Sequence, residues 1–236
     1  MISNLFHQLL YRPLFNALIF LYNTISVGDL GVAIIILTII IRFILFPLFH
    51  KSAKHQAIMQ RLQPKIKKIQ HDHKEDKEKQ AQALLALYRE HKINPLSGIF
   101  LIFLQLPILL ALFKVFNEGL SPESFTDLYS FINRPESLNT EFLGLINLSG
   151  KSIIMVGLSA VIQFVQGHLS LPKSTGDDDP AAKVGQYMIY VGPALTVLIL
   201  LSLPAAVAVY WFTSSAFSIV QQLIINRSLE KENGNS

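Results

Sequence analysis

Long apolar runs with few polar interruptions are the dominant pattern along this chain of 236 residues. A helix needs about 20 mostly apolar residues to cross a hydrocarbon core of about 30 Å, because each residue advances the helix by about 1.5 Å. Only Pro204 separates the last two runs, which predicts a tight hairpin between them. Five runs are long enough, and they predict transmembrane helices at residues 30–49, 95–116, 152–171, 184–203 and 205–225.

The N-terminal segment, residues 1–29, contains an apolar stretch that is too short to span a bilayer. Apolar side chains within Leu14–Ile25 follow helical spacing, so we predict an external helix lying in the membrane interface. A signal-peptide core is the alternative, although no small-residue cleavage pattern follows the stretch. The other connecting segments are predicted as an external loop, a cytoplasmic loop and a cytoplasmic tail, at residues 117–151, 172–183 and 226–236.

Residues 50–94 are too long for a simple connection and carry two helical patterns. The first pattern is an apolar stripe formed by Ile58, Leu62, Ile66 and Ile69, and the second covers residues 84–88. Pro64 must begin a helix or bend one, and the polar stretch 71–79 is typical of a turn. We predict a cytoplasmic helical hairpin with a thin apolar seam. The alternative is a solvated linker with helical propensity.

Composition supports a membrane protein and fixes its expected orientation. Hydrophobic residues make up 51% of the chain and charged residues 15%, against about 25% charged residues in soluble domains. Eleven of the 20 Lys and Arg residues lie between residues 50 and 93, which marks that segment as cytoplasmic. With five spans, the N-terminus is then outside and the C-terminus cytoplasmic. The net charge of +4 therefore reports topology, and no specific nucleic-acid binding is expected.

Arg42 is the charged residue placed deepest in an apolar run. Burying an Arg at the centre of a spanning helix costs about 2.5–3.5 kcal/mol, so a functional role is favoured over snorkelling to the interface, which is the alternative. Polar groups in four spans, its own included, accompany it and together predict a wet concavity in the inner half of the bilayer. These groups are Thr38, Gln105, Gln163, Ser214 and Ser215. For each of them taken singly, a hydrogen bond between helices is the alternative.

The chain shows no constellation of catalytic residues. No span has an Asp or Glu in its interior, and the motifs of metalloproteases, serine hydrolases and phosphate-binding loops are missing. The absence of Cys excludes disulfides, Cys-based metal sites and a Cys nucleophile. His71 and His73 lie in the polar turn, where solvation is favoured over metal binding. We therefore expect a protein without enzymatic chemistry, cofactor or metal.

Four blocks of the sequence carry a further signal: Thr38–Lys51 (TIIIRFILFPLFHK), Leu62–Gln70 (LQPKIKKIQ), Tyr88–Phe116 (YREHKINPLSGIFLIFLQLPILLALFKVF) and Leu203–Gln222 (LPAAVAVYWFTSSAFSIVQQ). These blocks resemble the YidC/Oxa/Alb family of membrane protein insertases. Together they extend over about residues 25–225 and keep the order and spacing of the five predicted spans.

The resemblance implies an all-α polytopic fold, with five transmembrane helices around a hydrophilic groove that opens to the cytoplasm and to lipid but is closed outside. Arg42 matches the family's Arg, which keeps the groove hydrated and attracts acidic residues of the translocated segment. Tyr210 and Trp211 belong to the last matching block and complete the expected substrate-binding groove. The hairpin at residues 50–94 corresponds to a mobile family element that is needed for activity.

The same resemblance implies insertion of small, simple-topology membrane proteins into the bacterial plasma membrane, alone or with the Sec translocon. Ser215 stands where the family usually has Asn, and the tail after Ile225 is short and nearly neutral. Any contact with ribosomes is therefore expected from the hairpin rather than from the tail. Two alternatives remain open: an anion transporter or lipid scramblase using the same groove, and an assembly chaperone that only holds other helices.

Overall fold

Helices make up most of the part of the chain that the computed structural model describes, which is residues 2–94, 97–117, 122–170 and 180–234. Helices α1 and α2 are joined without a break by a π-helical turn at His7–Tyr11. A 3₁₀ helix lies at Pro122–Asp127, and a short antiparallel hairpin is formed by β1 (Glu141–Phe142) and β2 (Ile146–Asn147). The α-helices are α1 (Ile2–Phe6), α2 (Arg12–Thr24), α3 (Leu30–Ile44), α4 (Phe46–Arg61), α5 (Gln63–Asp72), α6 (Lys77–Glu90), α7 (Ser97–Asn117), α8 (Ile153–Ser170), α9 (Pro180–Leu200) and α10 (Ala205–Gly234).

By length and composition, one helix in the described part of the chain can cross a membrane by itself, at Ala205–Lys231 within α10. A second candidate arises if α3 and α4 are counted as one bent span. Shorter apolar helical stretches lie at Gln105–Asn117, Ile153–Leu169 and Tyr190–Leu200, and each overlaps one of the three other predicted spans. The mostly helical, apolar architecture is that of a membrane protein, while the number of five spans stays a prediction. Most of the predicted loop 172–183 lies outside the described residues.

The first predicted span, residues 30–49, is not one straight helix. α3 ends at Ile44, and α4 leaves Leu45 at an angle of 70° to it. Pro47 lies in the first turn of α4, where its missing N–H costs no intrahelical hydrogen bond. Asp29 caps the other end of α3 by accepting a hydrogen bond from the Val32 amide at 3.0 Å. Arg42 therefore lies in the last turn before the bend.

The N-terminal helix is held by the segment that follows α7. The Asn16 side chain, which is 1% exposed, donates to the carbonyl of Asp127 at 3.0 Å and accepts from the Tyr129 amide at 2.6 Å. The Tyr22 hydroxyl accepts from the Asn139 amide at 2.8 Å. The apolar face of α2 is buried as well, through Phe15, Leu18 and Ile19. One face of this stretch is thus part of the protein core, while its position in the membrane interface stays a prediction.

The β-hairpin closes tightly over the start of α3. A Cβ added at Gly31 would lie 2.8 Å from the Cβ of Phe142, so only glycine fits at this contact. The amide of Leu143 donates to the Asp29 carboxylate at 2.8 Å, which places the hairpin tip beside the turn between α2 and α3. This end of α3 is therefore fixed by packing as well as by its cap.

Helices α5 and α6 fold back on each other within the segment predicted as a hairpin. Their seam is buried and apolar, formed by Leu62, Ile66, Leu87 and Ile93. Pro64 lies in the first turn of α5, which agrees with its predicted role as a helix start. Asp76 caps α6 by accepting from the Lys79 amide at 3.0 Å, and this hydrogen bond holds the pKa of Asp76 below its ordinary value.

Candidate functional site

Arg42 is half-buried and is held from two sides. Its Nε donates to the hydroxyl of Ser214 at 2.8 Å, and its Nη2 donates to the same oxygen. Its guanidinium carbon lies 4.6 Å from the centre of the Phe49 ring, in a cation–π contact across the bend between α3 and α4. Among the residues that the structure describes, no carboxylate pairs with Arg42. Neutral groups position the charge, and no carboxylate of the described residues cancels it.

Ser214 links Arg42 to Tyr210 on its own helix and, through Tyr210, to Gln105 on α7. Tyr210 lies one turn earlier on α10, hence on the same face as Ser214, and is 2% exposed. Its hydroxyl accepts a hydrogen bond from the side-chain amide of Gln105 on α7. Arg42, Ser214, Tyr210 and Gln105 thus form one polar cluster, which we call the arginine cluster, where α3, α7 and α10 meet.

Gln163 and Trp211 form a second cluster instead of joining the first. The Trp211 indole N–H donates to Gln163 Oε1 at 3.1 Å, and the Thr196 hydroxyl donates to the same oxygen. Tyr210 and Trp211 are consecutive, so they leave α10 about 100° apart and face different neighbours. This second set, the glutamine cluster, joins α8, α9 and α10. Thr196 was not singled out from the sequence, where it is one hydroxyl within a long apolar run.

Thr38 and Ser215 are in neither cluster. The Thr38 hydroxyl is buried and donates to the carbonyl of Ile34 at 2.6 Å, within its own helix. A Thr that satisfies itself in this way needs no partner on another helix. Ser215 is 7% exposed on α10, one residue beyond Ser214. Among the described residues, Thr38 therefore shares no hydrogen bond with Arg42.

The arginine cluster is suited to binding an anion. A guanidinium carries five N–H donors in a planar fork that matches a carboxylate, and within the described part of the chain the donors facing Ser214 are the ones engaged. The partner side chains are an alcohol, a phenol and an amide, which orient the charge without supplying a general base or an activated nucleophile. In a medium of low dielectric constant such a charge attracts an opposite charge strongly.

Comparison with known proteins identifies the family. Residues 20–232 match the family model of the 60Kd inner membrane protein, which is nearly the whole chain. The chain belongs to the YidC family. The resemblance predicted from the four sequence blocks is thereby confirmed, and members of this family are multi-pass proteins of the bacterial inner membrane.

Several YidC relatives are similar over nearly all of this chain. The protein named membrane protein insertase YidC from Fusobacterium nucleatum is 34% identical over 218 residues, which cover 92% of this chain and 96% of that protein. Proteins of the same name from Pelobacter propionicus and Rickettsia bellii are 33% and 31% identical. Both matches cover 92% of this chain but 38% of the longer relatives. The chain therefore has the size of the compact relative and corresponds to a part of the longer YidC proteins.

Proposed function

We propose that this chain is a membrane protein insertase that acts without ATP and without catalytic chemistry. The observation that carries the proposal is the half-buried Arg42, held by Ser214 and Phe49 and without an internal carboxylate partner in the described residues. The names of the YidC relatives support the activity. They give no support to an anion transporter or a lipid scramblase.

The proposed mechanism divides the work between charge and hydrophobicity. A polar substrate tail with an acidic residue enters a hydrophilic groove from the cytoplasmic side and is attracted to Arg42, so the tail crosses a shortened apolar path. The apolar segment that follows partitions sideways into lipid, which releases about 25 cal/mol for each Å² of apolar surface removed from water. The glutamine cluster, with Gln163, Thr196 and Trp211, supplies a second polar wall between α8, α9 and α10.

Charge reversal at Arg42 tests the function. In proteoliposomes containing only the purified chain, we expect Arg42→Glu to lower insertion of a single-span substrate with an acidic tail by roughly tenfold or more, since opposite charges about 4 Å apart attract by about 4 kcal/mol at an effective dielectric constant near 20. Arg42→Lys should keep most of the activity. Protease protection of the tail measures insertion.

The matched control is Arg227→Glu, the same charge reversal at an exposed position on α10. A substrate whose acidic tail residue is replaced by Lys should restore insertion by the Arg42→Glu variant, which separates lost attraction from misfolding. Full activity of Arg42→Glu on the acidic tail, or failure of the wild-type chain to insert any substrate, would overturn the proposal.

The basic outer surface of the α5–α6 hairpin is the proposed contact for the ribosome and for the Sec translocon. Five Lys side chains are exposed there, at Lys65, Lys68, Lys74, Lys77 and Lys79. Clustered cations of this kind attract the phosphates of ribosomal RNA in a salt-dependent manner. Replacing Lys65 and Lys68 by Glu should abolish co-sedimentation with ribosomes, whereas Arg227→Glu in the tail should leave it intact. Equal binding by both variants would exclude the hairpin as the contact.

A further inference from the structure

The crossing of α4 and α10 lies just beyond Arg42 and has a well-defined register. The Phe46 and Phe217 rings meet edge to face with centroids 6.4 Å apart. Further along, Ala57 packs with Ile225, and Arg61 Nη1 donates to the carbonyl of Leu229 at 3.1 Å. Residue numbers rise together on the two helices, so α4 and α10 run in the same direction along this interface.

Two buried polar atoms in this interface have no hydrogen-bond partner among the described residues. They are Nδ1 of His50 and Nε2 of Gln221. His50 lies one turn after Phe46 and stacks on it with ring centroids 5.3 Å apart. Gln221 lies one turn after Phe217 and one turn before Ile225, and is 4% exposed. Phe46 meets Phe217 on one side and Ala57 packs with Ile225 on the other, so Gln221 lies level with residues 50–53 of α4, within one turn of His50.

A buried polar atom without a partner is costly, so two within one turn of each other in the same interface point to a shared ligand. Gln221 Nε2 is a donor only, and His50 Nδ1 is a donor in one neutral tautomer and in the protonated form. An oxygen anion placed between them would accept from both, in charge-assisted hydrogen bonds that are stronger than neutral ones. Neither atom is engaged by the arginine cluster.

We propose that His50 and Gln221 form a second subsite, which binds a carboxylate of the substrate tail beyond the carboxylate at Arg42. This rests on the proposed insertase function and extends it to a preference for tails with two acidic residues. His50 is eight positions after Arg42. The distance between the two residues would be about 12 Å along a straight helix, and it is shorter across the bend at Leu45. An extended tail advances about 3.3 Å per residue, so acids three or four positions apart reach both subsites.

An aromatic row connects the two subsites. The Phe43 and Phe217 rings meet at 5.3 Å, Phe46 follows, and Phe49 lies under the Arg42 guanidinium. Phe43 is 64% exposed, so this row is open on one side. A tail backbone lying along these rings would pass from one subsite to the other without meeting another charged side chain of the described residues on the row.

Insertion of a panel of matched tails tests the subsite. The panel has Asp at two positions three residues apart, Asp at one and Asn at the other, or Asn at both, in an otherwise identical single-span substrate. With the wild-type chain, we expect the second Asp to raise the insertion rate by about fivefold, or about 1 kcal/mol at 1.36 kcal/mol per factor of ten. His50→Phe keeps the ring stack and Gln221→Leu keeps the volume, and each should abolish this gain while leaving the single-Asp tail unchanged.

The control is Gln222→Leu, the same change at the next residue, whose amide donates to Asn226 Oδ1 at 2.9 Å. This variant should keep the gain from the second Asp. Three results would overturn the subsite. The wild-type chain could show no gain from the second Asp, the gain could persist in both His50→Phe and Gln221→Leu, or these variants could lower insertion of all three tails equally. Insertion that still depends on Arg42 in those cases would leave the proposed function standing, whereas no insertion of any tail by the wild-type chain would overturn the function itself.

Discussion

Val27 has a backbone conformation that β-branched residues rarely adopt. Its φ is 54°, in the left-handed region, and its side chain is 98% exposed. A β-branched residue is a genuine outlier there, because its Cβ crowds the following carbonyl at a cost of about 1–2 kcal/mol. Gly28 follows with φ 79°, so the turn between α2 and α3 needs two left-handed residues in succession.

Relieving this strain should stabilise the protein. Because Asn adopts left-handed conformations more readily than Val, Val27→Asn should raise the free energy of unfolding by about 1 kcal/mol. Thermal unfolding in detergent measures the effect. Ile25→Asn is the matched control, since Ile25 is also exposed but has φ −113°. A lower melting temperature for Val27→Asn than for the wild-type chain would show that the Val27 side chain makes a stabilising contact.

At the scale of elements, helices could be predicted where apolar residues follow helical spacing or where a proline lies in the first turn. Pro64 predicted the start of α5, and the apolar stripe of residues 58–69 predicted one side of the seam between α5 and α6. The bend at Leu45 was missed, although Pro47 carries the same signal, because the surrounding run reads as one apolar span. The packing of α2 was missed for a different reason. Its partners lie more than 100 residues away in sequence, and periodicity carries no information about such contacts.

The buried amide of Asn16 is the principal link between α2 and its distant partner. Asn16→Leu removes its hydrogen bonds and leaves the Tyr129 amide without its acceptor, so it should lower the free energy of unfolding by about 2–3 kcal/mol. Chemical unfolding in detergent measures the loss. Asn23→Leu is the control, because Asn23 is exposed and donates one hydrogen bond, to Asn133 at 2.7 Å. Similar losses for both variants would mean that burial of the amide is not what matters.

At the scale of the whole molecule, composition identified which residues are unusual but not which of them meet. Arg42, Gln105, Tyr210 and Ser214 come together, because three helices present them to one point. Gln163 and Trp211 join Thr196 instead, and Thr38 bonds within its own helix. A span reveals its polar positions in the sequence, whereas the rotation of each helix about its axis is set by packing against its neighbours. The membership of each cluster therefore required the structure.

The orientation of the molecule in the membrane is the remaining whole-molecule prediction, and the chain suits a direct measurement. It contains no Cys, so any introduced Cys is a unique label. The eleven basic residues of the 50–93 segment predict that this segment and the tail face the cytoplasm. We expect a membrane-impermeant maleimide to label Asn4→Cys and Lys151→Cys in intact cells.

Lys74→Cys and Ser228→Cys should react only after the cells are opened. All four positions are exposed on the protein surface, so a difference in labelling reports the side of the membrane and not burial of the side chain. Four spans are predicted between the hairpin and the tail, which puts both on the same side of the membrane. Labelling of Ser228→Cys but not of Lys74→Cys from outside would mean that the number of spans between them is odd. Labelling of both from outside would mean that the molecule has the opposite orientation to the predicted one. Arg42 would then lie in the outer half of the bilayer. In that orientation a tail arriving from the cytoplasm would cross most of the hydrocarbon before meeting the charge, and the attraction would come too late to shorten its path.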